Sequence, residues 1–98
     1  MCGLIGCFYR APRKDLESRM SVALRQLNHR GPDDAGSAFF PINEGTLAFG
    51  HTRLSIIDLS SSGHQPMSSC SSRYTIVFNG EIYNYKELRS ELKLLGVT

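Results

Sequence analysis

Apolar and polar positions along this chain switch between two periods. Leu4 to Tyr9 is a short, nearly continuous apolar run that stops at Arg10-Ala11-Pro12, the pattern of a buried strand followed by a turn. From Asp15 to Asn28 the period lengthens. Leu16, Met20, Ala23, Leu24 and Leu27 fall on one helical face, so the segment predicts an amphipathic helix, with Asp15 able to cap its first turn. His29-Arg30-Gly31-Pro32-Asp33-Asp34-Ala35-Gly36 holds two glycines, a proline and two acids, and reads as a loop.

Short strands follow. Ser37 to Phe40 and Thr46 to His51 flank Pro41-Ile42-Asn43-Glu44-Gly45, which reads as a hairpin loop. Leu54 to Leu59 is a third apolar segment, read as another strand. Ser60 to Ser72 is serine-rich and contains Gly63 and Pro66, so it predicts a loop. Tyr74 to Phe78 is β-branched and aromatic, again a strand. Asn84 to Leu95 returns to the helical period, with Tyr85, Leu88, Leu92 and Leu95 on one face. Asn84 is placed to cap it, Glu87 follows three residues on, and Gly96 ends it. The order strand, helix, four strands, helix predicts an α+β fold, a mixed antiparallel sheet with helices packed against it.

Bulk properties narrow the function classes. The chain has 98 residues, 41% hydrophobic and 20% charged, an ordinary globular composition with a modest core. A net charge of +2, with both signs scattered, gives no electrostatic footprint for nucleic acid. No apolar run approaches the roughly 20 residues of a membrane span, and the N-terminus lacks the pattern of a signal peptide. No membrane partner and a cytoplasmic location are expected. Cys2, Cys7 and Cys70 are odd in number and widely spaced, so they read as free thiols in a reducing compartment, with Cys7 packed in the core. They and His29, His51 and His64 show no zinc-ligand spacing, so no metal site is expected.

Candidate chemistry starts at the second residue. With Met1 trimmed, Cys2 joins a thiol and a free α-amine on one residue, a nucleophile with a built-in base that titrates near pH ~8. Three other polar segments, Arg30 to Asp33, His51 to Ser55 and Phe78 to Asn84, end predicted elements. Arg53 is either a surface arginine or a fork that grips a carboxylate in two places. Asn79-Gly80 is either a tight turn or a pair of donors, an amide and a backbone N–H, for a developing oxyanion. Glu81 either caps that turn or accepts from a substrate ammonium or amide.

Taken in order, Met1-Cys2-Gly3, Leu27-Asn28-His29-Arg30-Gly31-Pro32-Asp33, Gly50-His51-Thr52-Arg53-Leu54-Ser55-Ile56-Ile57-Asp58, Gly63-His64-Gln65-Pro66 and Phe78-Asn79-Gly80-Glu81-Ile82-Tyr83-Asn84 resemble the class II glutamine amidotransferases. These belong to the N-terminal-nucleophile (Ntn) hydrolase superfamily. Within it, Arg53 to Asp58 and Asn79 to Asn84 look like the glutamine-hydrolysing asparagine synthetases. The resemblance implies that Cys2 attacks the side-chain amide of L-glutamine, with Asn79 and Gly80 as oxyanion donors. It further implies that Arg53 binds the substrate carboxylate, that Leu54, Ser55, Ile56 and Ile57 line the pocket, and that Asn79, Gly80 and Glu81 help hold the substrate. It implies no cofactor in this segment. ATP and Mg²⁺ belong to a synthetase domain in cis, where the released ammonia meets activated aspartate.

The implied fold is the first half of an αββα sandwich, with residues 1–98 as the N-terminal portion of a type-2 glutamine amidotransferase domain. The rest of that domain, including a Ser-Asp strand whose aspartate binds the substrate amino group, and the synthetase domain are expected beyond Thr98. Two other readings stand beside this one: an amidotransferase with an amino-sugar or surface-polysaccharide acceptor, and a non-catalytic fragment. Exposed sheet edges would favour self-association into a homo-oligomer.

Overall fold

The computed structural model describes residues 2–10, 14–56 and 59–97. Its centre is a three-stranded antiparallel sheet in the order β1-β3-β2, built from β1 (Gly3–Tyr9), β2 (Asp34–Ile42) and β3 (Gly45–Arg53). β3 is paired on both sides, with Gly3 opposite Thr52 on one edge and Asp34 opposite Arg53 on the other. The α+β class is borne out: the ladders are antiparallel, and two helices accompany them.

The helix α1 (Leu16–Gln26) lies on one face of this sheet. Leu16, Met20 and Ala48 form the buried core, with Ile5, Cys7, Tyr9, Leu24 and Phe39 packed around it. Alternation explains the membership. Cys7, Ala48 and Phe39 stand opposite one another across the three strands and so share the face that α1 covers. The neighbouring positions, Phe49, His51 and Arg53 among them, point to the other face. There Phe40 and Phe49 meet edge to face at 5.9 Å, while Leu4 and Phe8 stay about half exposed.

Several expectations are corrected. The β2–β3 hairpin is tighter than the sequence suggests: Ile42 pairs with Gly45, and Asn43 takes the left-handed conformation at φ 53° that asparagine tolerates. β2 also starts earlier, at Asp34, inside the predicted loop. Leu54, Ser55, Ile56 and Leu59 are not in a strand, and residues 57–58 lie outside the described residues. The Leu54 and Ser55 amides are engaged elsewhere, as described below. The predicted strand Tyr74 to Phe78 shrinks to β5 (Thr75–Ile76), which pairs with β4 (Met67–Ser68) in a separate two-stranded sheet. The predicted serine-rich loop thus contains β4 and a single 3₁₀ turn at Ser61–Gly63.

Neither predicted cap forms a side-chain hydrogen bond. Asp15 instead faces Arg19 one turn on, at 3.6 Å. The second helix, α2 (Tyr85–Leu94), ends as predicted. Gly96 adopts φ 85°, and the amides of Gly96 and Val97 reach back to the carbonyls of Lys93 and Leu92, a Schellman closure that needs a residue free of a Cβ penalty. α2 does not pack on the central sheet as expected: every one of its residues is exposed. Its apolar face, with Tyr85, Leu88 and Leu92, lines an open groove with Ile82 and Val97.

Candidate functional site

The site grows from the C-terminal end of β3. Because β3 is the middle strand, its last residues have neighbours on both sides. Register brings Cys2, one residue before β1, alongside Arg53 and Leu54, which are more than 50 residues away in sequence. The Leu54 amide donates to Cys2 Sγ at 3.3 Å, and the Leu54 carbonyl lies 3.9 Å from the same sulfur. Leu54 leaves the ladder, and its N–H is used to orient a thiol instead of to pair a strand.

The Arg30-Gly31-Pro32-Asp33 turn, read from the sequence as a loop and as part of the family motif but with no site role, holds this corner together. Arg30 Nε donates to the Cys2 carbonyl at 3.1 Å. Gly31 is buried against the Arg53 backbone. Pro32 bridges Arg53, and the Asp33 amide donates to the Arg53 carbonyl at 3.1 Å. Asp33 Oδ2 accepts from the Ser55 amide at 2.8 Å. Both ends of the loop 54–55 are thereby fixed, one on the cysteine and one on the aspartate.

Arg53 is only 9% exposed. Its Nη1 donates to the Ser60 carbonyl at 2.5 Å, and Gly63 packs on the guanidinium so closely that a Cβ there would come within 2.5 Å of Cζ. A guanidinium is a planar fork of five donors, the geometry that can grip a carboxylate in two places. Around it, Cys2, Arg53, Leu54, Ile56, Gly63, Gln65, Phe78, Gly80 and Glu81 line an open cavity of about 170 Å³. Drug-sized pockets run roughly 300–1,000 Å³, so this volume suits a small metabolite.

Of the residues singled out from the sequence, Cys2, Arg53, Leu54, Ile56, Gly80 and Glu81 meet at this cavity. Ser55 lies on the adjoining cavity with Asp33, Asp34 and His64. Asn79 is half-buried between Phe78 and Gly80 and is not among the lining residues. Ile57 and Met1 lie outside the described residues. Cys7 packs against the core and Cys70 is exposed, both away from the cavity. Among the described residues, no group of three or more His, Cys, Asp or Glu side chains is placed to hold a metal ion. No helix among them is long and apolar enough to cross a membrane.

Sequence reasoning missed His51 and Gln65. His51 is 1% exposed, and its Nε2 lies 3.2 Å from the Phe78 carbonyl. Burial pushes its imidazole below the ordinary 6.5, partly offset by the Phe78 carbonyl and the Asp34 charge. Gln65 Oε1 accepts from the Phe78 amide at 2.6 Å. A signal for His51 was available: it stands in an apolar strand, and a buried polar side chain requires a partner. Asp34 and His64 form a further exposed pair at 2.5 Å.

Comparison with known proteins gives a consistent result. All of residues 1–98 match the family model described as a glutamine amidotransferase domain. The chain is 44% identical to glutamine-hydrolysing asparagine synthetase 1 of Bacillus subtilis strain 168, over 100% of this chain and 15% of that protein. It is 36% identical to asparagine synthetase 3 of the same organism, over 98% of this chain and 15% of the relative. To asparagine synthetase 1 of Saccharomyces cerevisiae it is 36% identical, over 93% of this chain and 15% of the relative. The chain thus spans about 15% of the length of these curated relatives. No solved structure matches it.

Proposed function

The chain belongs to the glutamine amidotransferase domain family, and on that premise we propose that it carries the glutaminase chemistry of an asparagine synthetase, with Cys2 as nucleophile. One observation carries the reading: the Cys2 sulfur, held by the Leu54 amide, opens on a metabolite-sized cavity that also contains Arg53, Gly80 and Glu81. Residues 1–98 are then the N-terminal portion of the glutaminase domain, the first part of an Ntn-type sandwich.

The steps follow from the groups present. With Met1 removed, the Cys2 α-amine takes the thiol proton as sulfur attacks the glutamine side-chain carbonyl. The carbonyl oxygen becomes an oxyanion, stabilised by the Asn79 amide and the Gly80 N–H. Return of the proton to nitrogen breaks the C–N bond, ammonia leaves, and a thioester remains on Cys2. Water hydrolyses the thioester, which releases glutamate and restores the thiol. Arg53 binds the substrate α-carboxylate, the backbone of residues 54–57 lines the pocket, and Glu81 helps orient the substrate. The relatives' names, glutamine-hydrolysing asparagine synthetases, support asparagine as the destination of the ammonia; ATP and Mg²⁺ would supply the activation of aspartate in a synthetase domain.

In the full-length gene product, Cys2→Ala is expected to remove glutamine-dependent asparagine formation by a factor of roughly 10³ or more, with ammonia-dependent formation retained. Equal loss of both activities would show Cys2 to be a structural residue.

A further inference from the structure

Phe78 belongs to no strand, yet both of its backbone polar groups are gripped by side chains from elsewhere. Its N–H donates to Gln65 Oε1 at 2.6 Å, and its carbonyl accepts from His51 Nε2 at 3.2 Å. That carbonyl and the Asn79 N–H belong to one planar peptide unit, so fixing the carbonyl fixes the plane from which Asn79 and then Gly80 depart. His51 is itself fixed, fully buried on the central strand β3 with register partners on both sides, Leu4 and Gly36.

We propose that His51 and Gln65 are positioning residues for the oxyanion donors, acting through the Phe78 peptide groups to aim Asn79 and Gly80 at the oxygen of the carbonyl that Cys2 attacks. The inference rests on the glutaminase reading above and deepens it. Few other described contacts hold this segment: residues 77–84 lie outside strand and helix, and the carbonyl of Phe78 and the side chain of His51 connect it directly to the rigid sheet. A low-lying imidazole pKa keeps His51 neutral near pH ~7, with one N–H to give. Oxyanion donors act on the transition state and only weakly on the bound amide, so loosening them lowers kcat and leaves KM in place.

The test is steady-state glutaminase kinetics of the full-length gene product, together with inhibition by the γ-aldehyde of glutamate. That aldehyde forms a tetrahedral thiohemiacetal with the thiol and so reports the oxyanion site. His51→Met and Gln65→Met are each expected to lower kcat by roughly 10–100-fold, with KM within about twofold and the aldehyde Ki raised in parallel with the loss of kcat. His51→Gln, which returns an amide N–H at similar reach, is expected to recover most of the rate. Wild-type kcat and Ki in Gln65→Met, or a rise in KM with unchanged kcat in either Met variant, would overturn the proposal while leaving the glutaminase reading intact. Equal loss in His51→Gln and His51→Met would overturn the role of His51. Absence of glutaminase activity from the wild type would overturn the underlying reading and this inference with it.

Discussion

The two halves of the chain are stabilised differently. Up to Arg53, β1, α1, β2 and β3 enclose a shared apolar core, and every buried residue among those described lies at or before Arg53. After Arg53 the chain continues through two short strands and a fully exposed helix, attached to the sheet by polar contacts, Arg53 to Ser60, Asp34 to His64 and His51 to Phe78, and braced within itself by Gln65 on Phe78. The first half brings the candidate nucleophile and the carboxylate fork. The second brings the candidate oxyanion donors and Glu81. The site therefore lies at a junction between a region that packs and a region that is tethered, and its geometry depends on a few directional bonds more than on buried area.

The largest expected effect tests the packed half. Met20→Ala removes a buried side chain from the centre of the core and is expected to lower unfolding free energy by about 2–5 kcal/mol in urea titrations. In the same 98-residue chain, Leu92→Ala on the exposed face of α2 is expected to change it by less than about 0.5 kcal/mol. Comparable losses at the two positions would erase the contrast.

Next comes the tether itself. A methyl added at Gly63 would lie within 2.5 Å of Arg53 Cζ, so the guanidinium and the 60–65 loop must move apart. Gly63→Ala is expected to raise the glutamine KM by roughly tenfold through the displaced fork, with a smaller effect on urea midpoint than Met20→Ala. An unchanged KM would separate Arg53 from substrate binding.

A pH effect of smaller size follows from His51. Its folded-state pKa lies below the ordinary 6.5 because burial disfavours the charged ring, an effect to which the His64 and Arg53 charges add and which Asp34 and the Phe78 carbonyl oppose. The unfolded chain then takes up the proton first as pH falls. The contribution is complete above about pH 6.5 and is lost progressively as pH drops toward the folded value. Urea midpoints are expected to decline through that window, and His51→Gln is expected to flatten this part of the decline. Parallel profiles for the two proteins would remove His51 as its source. The smallest effect is at Asn84, which makes no capping hydrogen bond: Asn84→Ala is expected to change stability by under about 0.5 kcal/mol, against the roughly 0.5–2 kcal/mol typical of a working cap.

The packed half was the more legible from sequence, for the same physical reason that it is packed. Burial imposes period, so β1, α1 and the β2–β3 hairpin could be read from their apolar spacing. The end of α2 was legible too, because a left-handed closure asks for a residue such as Gly96. The tethered half was read less well. Leu54 to Leu59 is apolar enough to suggest a strand, yet the Leu54 and Ser55 amides go to Cys2 and Asp33, partners no local pattern reveals. Arg30 and Asp33 were visible as a motif, but their contacts to Cys2 and Ser55 span more than 20 residues. The second helix was expected on the sheet because its face is apolar, but an apolar face shows only that a helix has something to bury.

The proposed chemistry depends on Cys2, freed of Met1, acting as the nucleophile of a glutamine site. Mass spectrometry of the intact protein, and then of its peptides, after treatment with a glutamine-mimicking electrophile tests this most directly. The expected result is a protein lacking Met1, with one adduct, located on Cys2, that excess glutamine prevents, and with Cys7 and Cys70 unlabelled. Retention of Met1, or labelling spread over Cys70 and indifferent to glutamine, would contradict it.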